Sequence, residues 1–113
     1  MNWIKLESKA DVEQIIEYSF QKKLGVAIFK PSTRCSISAV AKKRLDDSWD
    51  FEAELPIYYL DLIQFRTLSD LIATKFNVQH ESPQLLVIKN GKCIYNASHM
   101  AIAVKEIQKN LTL

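Results

Sequence analysis

Glycine is nearly absent from this chain: Gly25 and Gly91 are the only two in 113 residues. Neither a Gly-x-Gly-x-x-Gly turn nor a Walker-type phosphate loop can be written from two isolated glycines, which excludes nucleotide binding by those routes. Long apolar runs are also missing. The longest candidates, Gly25 to Phe29 and Leu85 to Ile88, are strand-sized, whereas a helix crossing a bilayer needs roughly 20 residues, so no membrane partner is expected. Charge of one sign is lacking as well. Fifteen Lys+Arg face thirteen Asp+Glu, a net charge of +2, too small to draw a nucleic-acid partner by itself. Cysteine is limited to Cys35 and Cys93, and neither has a Cys or His at zinc-ligand spacing, so no bound metal is expected. Lys5, Glu7, Lys9 and Asp11 interrupt the N-terminal stretch where a secretory signal would be apolar. The expected location is the cytoplasm, where both cysteines rest as thiols.

What is present is ordinary globular material, 48% apolar and 25% charged, of a length that makes residues 1–113 one domain. Trp3 to Leu6 reads as a short edge strand. Ser8 to Asp11 forms a capping box, behind which Val12, Ile15, Ile16 and Phe20 define a helical face. Val26 to Phe29 is apolar without alternation, as in a strand covered on both faces. Past the turn-forming Lys30 to Thr33, the spacing of Ile37, Val40, Ala41 and Leu45 predicts a second helix, with Lys42, Lys43 and Arg44 on its solvated side. Ile57 to Leu62 is the third strand by β-propensity. Thr67 to Asp70 reads as a second capping box, leading a helix with Leu68, Leu71, Ile72 and Phe76 inward. Gln84 to Lys89 and Lys92 to Ala97 flank Asn90-Gly91, a strong hairpin signal. Ser98 is then expected to cap a final helix that buries Val104, Ile107 and Leu111. The order β-α-β-α-β-α-β-β-α predicts an α/β domain with a mixed central sheet and helices on both faces, joined by a right-handed crossover. This order resembles the thioredoxin-like arrangement, by analogy of element order.

Cys35 falls at the junction between the second strand and the second helix. Unpaired amides and the positive end of the helix dipole favour a thiolate there over a thiol. Arg34 and Lys30 add positive charge to the same loop, and Ser38, one turn on, can reach the sulfur with its hydroxyl or amide. The polar neighbours Ser32, Thr33, Arg34, Ser36 and Ser38 argue against a buried, inert cysteine. Cys93, between Lys92 and Ile94 on a hairpin strand, reads as structural, and would act as a second thiol only if the fold brings it close to Cys35. In Cys35-Ser36-Ile37-Ser38 a serine stands where a dithiol oxidoreductase has its second cysteine. This segment therefore closes no internal disulfide, and a separate thiol must release whatever Cys35 receives.

The stretches Ile28-Phe29-Lys30, Ser32-Thr33-Arg34-Cys35-Ser36-Ile37-Ser38, Tyr59-Leu60-Asp61-Leu62 with Arg66, His80-Glu81-Ser82-Pro83-Gln84 and Ala97-Ser98-His99 occur in the order seen in the monothiol bacilliredoxin family, which the chain resembles over nearly its whole length. Pro31 departs from the family, which usually carries histidine there. The resemblance implies a thioredoxin-like enzyme of bacillithiol redox systems that removes bacillithiol from S-bacillithiolated cytosolic proteins. It holds no bound cofactor and uses bacillithiol or another low-molecular-weight thiol as co-substrate. Cys35 would be the nucleophile, with Ser38 and Arg34 supporting it. Pro83 would be a cis-proline that frees the Ser82 backbone to pair with an extended substrate. Lys30 and Arg34 are the nearest cations for the carboxylates of the small thiol, Thr33 lies between them, and Ser98 and His99 stand where glutaredoxin-like proteins hold their thiol at the last helix.

Other readings stay open on the sequence. A glutaredoxin-like protein could use glutathione or another small thiol, since each presents a sulfur and carboxylates. An iron–sulfur variant is disfavoured by the scarcity of glycine around the motif. A redox sensor or adaptor would keep Cys35 only to record oxidation. His80 reads as a thiolate partner or a packed loop residue, His99 as a ligand contact or a solvated cap, and Arg66 as structural or solvated.

Overall fold

The computed structural model describes residues 2–32 and 35–111. Its elements follow the expected order: β1 Ile4–Lys5, α1 Lys9–Gln21, β2 Val26–Lys30, α2 Ser36–Ser48, β3 Ile57–Tyr59, α3 Arg66–Lys75, β4 Gln84–Lys89, β5 Lys92–Ser98 and α4 Val104–Asn110, with a 3₁₀ turn at His99–Ala101 before the last helix. The sheet runs β1-β3-β2-β4-β5. β1, β3 and β2 are parallel, and β4 and β5 continue the sheet antiparallel.

β2 is buried along its whole length because its side chains feed two cores. Ala27 and Phe29 join Leu85 and Val87 against α2 and α4, while Val26 and Ile28 join Leu86 and Ile88 against α1 and α3. Each large side chain fully buried this way contributes about 1.5–3 kcal/mol, which is why the run carries no polar alternation. The hairpin turn forms as expected, with Asn90 and Gly91 both at positive φ, 52° and 78°. Gly25 is required at the entry to β2, since its φ is +99° and a Cβ would lie 2.1 Å from the Ile88 carbonyl oxygen.

Four helix expectations need correction. In α1 the buried face is Val12, Ile15 and Ser19, and Phe20 is 61% exposed. Ser19 turns inward because its hydroxyl accepts the Gly91 N–H at 2.9 Å and its carbonyl accepts the Asn90 N–H at 2.9 Å. In α2 the buried face is Ser38, Ala41 and Leu45, leaving Ile37 and Val40 39% and 46% exposed. Thr67 to Asp70 is no cap: α3 begins one residue earlier, at Arg66. The preceding turn is held by Asp61, whose carboxylate accepts from the Ile63 and Gln64 amides. In that helix Ser69 is buried and Leu71 only partly so. Ser98 does not cap the last helix. It ends β5, and α4 starts at Val104 behind Ala103. β3 is also shorter than expected, although Leu60 and Leu62 remain buried and still bond to the backbone of Phe29 and Pro31.

Candidate active site

β2 ends at Lys30, and the chain re-enters helix with Cys35 as the residue preceding the first turn of α2, in extended backbone geometry. The loop folds tightly. The Cys35 N–H donates to the Ser32 carbonyl at 3.0 Å, and the Ser32 N–H donates to Ser38 Oγ at 3.0 Å. Having accepted from Ser32, the buried Ser38 hydroxyl keeps its own proton to donate toward the sulfur. The Cys35 thiol is held below its ordinary range, first by the Ser38 amide and then by the Ile37 amide; burial opposes them, and the Ser38 hydroxyl adds a lesser contribution in the same direction as the amides. Free amides at a helix start serve any anion in this way. Cys35 is partly exposed and opens on a cleft of about 190 Å³ lined by Pro31, Ser32, Ser38, Ala39, Lys42 and Tyr59.

Thr33 and Arg34 lie outside the described residues. Lys30 is fully buried, with its ammonium 3.2 Å from His80 Nδ1, so it faces the interior rather than the cleft mouth. Burial pulls Lys30 down to about 8, partly offset by Asp70. Directly across the ladder from Lys30 stands Gln84, and beyond it Ser98. The Ser82–Pro83 peptide is cis and immediately precedes β4, so it occupies the same end of the sheet as the loop carrying Cys35. The buried Ser82 hydroxyl has no hydrogen-bond partner among the described residues. His99 has φ +56°, donates its N–H to the Pro83 carbonyl at 2.9 Å, and places Nε2 3.6 Å from Glu81 Oε2. Ser98 and His99 are therefore gathered beside the Pro83 segment by the end of β5, not by the last helix. Arg66 is exposed on the first turn of α3.

Cys93 is elsewhere. It pairs with Ile88, which pairs with Val26 at the far end of β2. The four strand steps from there to Lys30 amount to roughly 13 Å. Its thiol is pushed up by burial and donates toward the Tyr95 carbonyl, in keeping with a structural residue.

Comparison with known proteins agrees with this geometry. Residues 4–107 match the family model described as monothiol bacilliredoxin BrxC. The chain belongs to the monothiol bacilliredoxin family. A solved structure whose description names a thioredoxin fold and a provisional oxidoreductase role is 39% identical, with 95% of this chain and 91% of that one covered at a TM-score of 0.80. Thioredoxins from Malassezia sympodialis and Fasciola hepatica superpose at TM-scores of 0.74 and 0.71, with 13% and 18% identity, covering 98% and 96% of this chain and 89% and 96% of theirs. At that identity they establish the fold alone. The bacilliredoxin family is thus one of thioredoxin-fold thiol–disulfide oxidoreductases, and this member has a partly exposed cysteine at the start of α2.

Three residues beside the site carry no site role in the sequence. Lys42, assigned to the solvated side of α2, lines the Cys35 cleft, held 3.0 Å from Asp46 Oδ2 and 5.2 Å from the centre of the Trp3 ring. Trp3 Nε1 donates to the other oxygen of the same carboxylate at 2.7 Å. Tyr59, the last residue of β3, lines the same cleft. Gln84 is buried with its amide nitrogen on the Gln79 carbonyl. The i, i+4 spacing of Lys42 and Asp46 was the one available signal, since it fixes where that ammonium points.

Proposed function

We propose that this bacilliredoxin removes bacillithiol from S-bacillithiolated cytoplasmic proteins by monothiol exchange at Cys35. The observation that carries the reading is Cys35 itself, a partly exposed thiol held toward thiolate by the Ile37 and Ser38 amides and the Ser38 hydroxyl. The thiolate attacks the bacillithiol sulfur of the mixed disulfide. The bond between that sulfur and the protein cysteine breaks, a disulfide between Cys35 and bacillithiol forms, and the released protein thiolate takes a proton from solvent. One disulfide is lost and one gained, so no external oxidant or reductant enters this step. Ser38 cannot displace the adduct, and Cys93 sits at the other end of the sheet, so a second low-molecular-weight thiol regenerates the enzyme.

For substrate binding, Ser82 and Pro83 receive the backbone around the modified cysteine, with Ser98 and His99 beside them. Lys42 is the cation on the cleft wall suited to a carboxylate of the small thiol, and Arg34 and Thr33, adjacent in sequence to Cys35, supply further contacts. Lys30 supports the site from beneath.

The test is intact mass spectrometry of the reduced protein, and of its Cys35→Ala variant, after incubation with a bacillithiolated protein. Transfer of bacillithiol onto the wild type alone is expected. A glutathionylated substrate run in parallel reports on the choice of thiol. If the wild type lifts neither adduct, exchange is ruled out and a sensor role takes its place.

A further inference from the structure

Lys30 and Gln84 are direct cross-strand partners, so their side chains leave the sheet on the same face. Both are buried, where an ammonium and an amide are costly unless bonded. Ile28 and Leu86, the next residues on that face, are apolar, so packing alone does not call for polar groups there. Each of the two finds a partner in the same short segment: Lys30 at His80 Nδ1, 3.2 Å away, and Gln84, through Nε2, at the Gln79 carbonyl, 3.0 Å away, while Gln84 Oε1 is buried with no partner among the described residues. The segment is tied from its other side by Glu81 near His99 and by the Pro83 carbonyl accepting from the His99 N–H. Residues 79 to 83 are thus held by three hydrogen bonds, with Glu81 facing His99 across 3.6 Å, and they end in the peptide proposed to receive substrate.

We infer that Lys30 and Gln84 are positioning residues for exchange at Cys35, holding residues 79–83 in the geometry that receives the substrate backbone, and that the Lys30–His80 contact makes this hold fail in acid. The inference rests on the exchange reading above. A lysine ammonium only donates, so His80 must accept at Nδ1, which requires a neutral ring with its proton on Nε2. Protonating His80 removes that acceptor and sets two cations 3.2 Å apart. Burial opposes the imidazolium most, followed by Lys30 from β2 and Arg66 from α3, while Asp70 from α3 and the adjacent Glu81 favour it. The net effect places His80 below an ordinary histidine, so the tie holds at neutral pH and breaks below it.

The test follows the His80 ring and the backbone amides of residues 79–82 and 84 by NMR through an acid titration of the reduced protein and of Lys30→Met. In parallel, exchange with a peptide mixed disulfide is measured and divided by the rate of Cys35 alkylation with iodoacetamide, which removes the dependence on thiolate fraction. In the wild type the amides should move together with the His80 titration, and the corrected exchange rate should fall severalfold over the same interval. In Lys30→Met, His80 should titrate at higher pH and the acid limb of exchange should vanish. Gln84→Met, which fills the space without the amide, should lower corrected exchange at every pH and keep the limb. Identical His80 titrations in the two proteins, or a corrected rate flat with pH in the wild type, would overturn the inference. If Cys35 alkylates yet exchanges with no mixed disulfide, the exchange reading fails, and the NMR titration still decides the Lys30–His80 tie.

Discussion

At Cys35 the chemistry is set within one helical turn. Two amides and one hydroxyl act on the sulfur, and the hydroxyl is the one of the three that a substitution can remove. Ser38→Ala deletes that donor and also strands the Ser32 N–H. Its Cys35 alkylation profile should shift to higher pH, with a severalfold slower reaction at pH 7, while the reaction at high pH, where the thiol is ionised in both proteins, stays close to wild type. The linkage follows the sign of the shift. An acid whose folded-state ionisation is favoured stabilises the fold above its unfolded value and loses that contribution as the pH falls through the folded one. The reduced wild type should therefore lose more stability than Ser38→Ala on going from alkaline to mildly acidic conditions, as read by denaturant titration at each pH.

The elements are joined by polar contacts that hydrophobic periodicity does not reveal. Ser19 is the clearest: it sits on the buried face of α1 and fastens the β4–β5 turn through two hydrogen bonds, one from its hydroxyl and one from its carbonyl. Ser19→Ala keeps the helix and the carbonyl bond but leaves the Gly91 N–H without its acceptor, a loss of about 1–3 kcal/mol, measurable as a lower urea midpoint with an unchanged slope. The same logic rotates α2. Ser38 must face the loop to accept from Ser32, and this turns Ile37 and Val40 outward and brings Lys42 to the cleft. Spacing had placed the apolar residues inward. The fold instead buries the serine whose hydrogen bonds the loop cannot do without.

For the whole molecule the costly feature is a charged lysine in the interior. Lys30 falls to about 8 from 10.5, so between those values the unfolded chain binds more protons than the folded one. Stability from this residue rises with pH across that window. Below pH 8 the buried ammonium is a net burden that Lys30→Met relieves. The variant should be more stable than wild type at pH 7 by about 1–3 kcal/mol, with the advantage shrinking between pH 8 and 10.5. Calorimetry or urea titration at pH 7, 9 and 10.5 checks this; a variant less stable than wild type at pH 7 would show that the His80 contact outweighs the cost of burial. A residue that lowers stability where the sheet meets the active loop is consistent with the positioning role inferred for it.

The sequence by itself determined the strands and their order, because an unbroken apolar run such as Val26 to Phe29 can only lie between two covered faces, and Asn90-Gly91 can only reverse the chain. It also placed Cys35 at a helix start and made Ser38 its neighbour, since both follow from local chain geometry. Tertiary structure decided what depends on neighbours distant in sequence. It buried Lys30 against His80, 50 positions away, and set Cys93 at the opposite end of the sheet. It moved Ser98 and His99 from a helix cap to the edge of the Pro83 segment, and turned Lys42 from a solvated face into a wall of the cleft. These outcomes rest on strand register and on which buried polar groups find partners, and neither is written in the spacing of residues along one element.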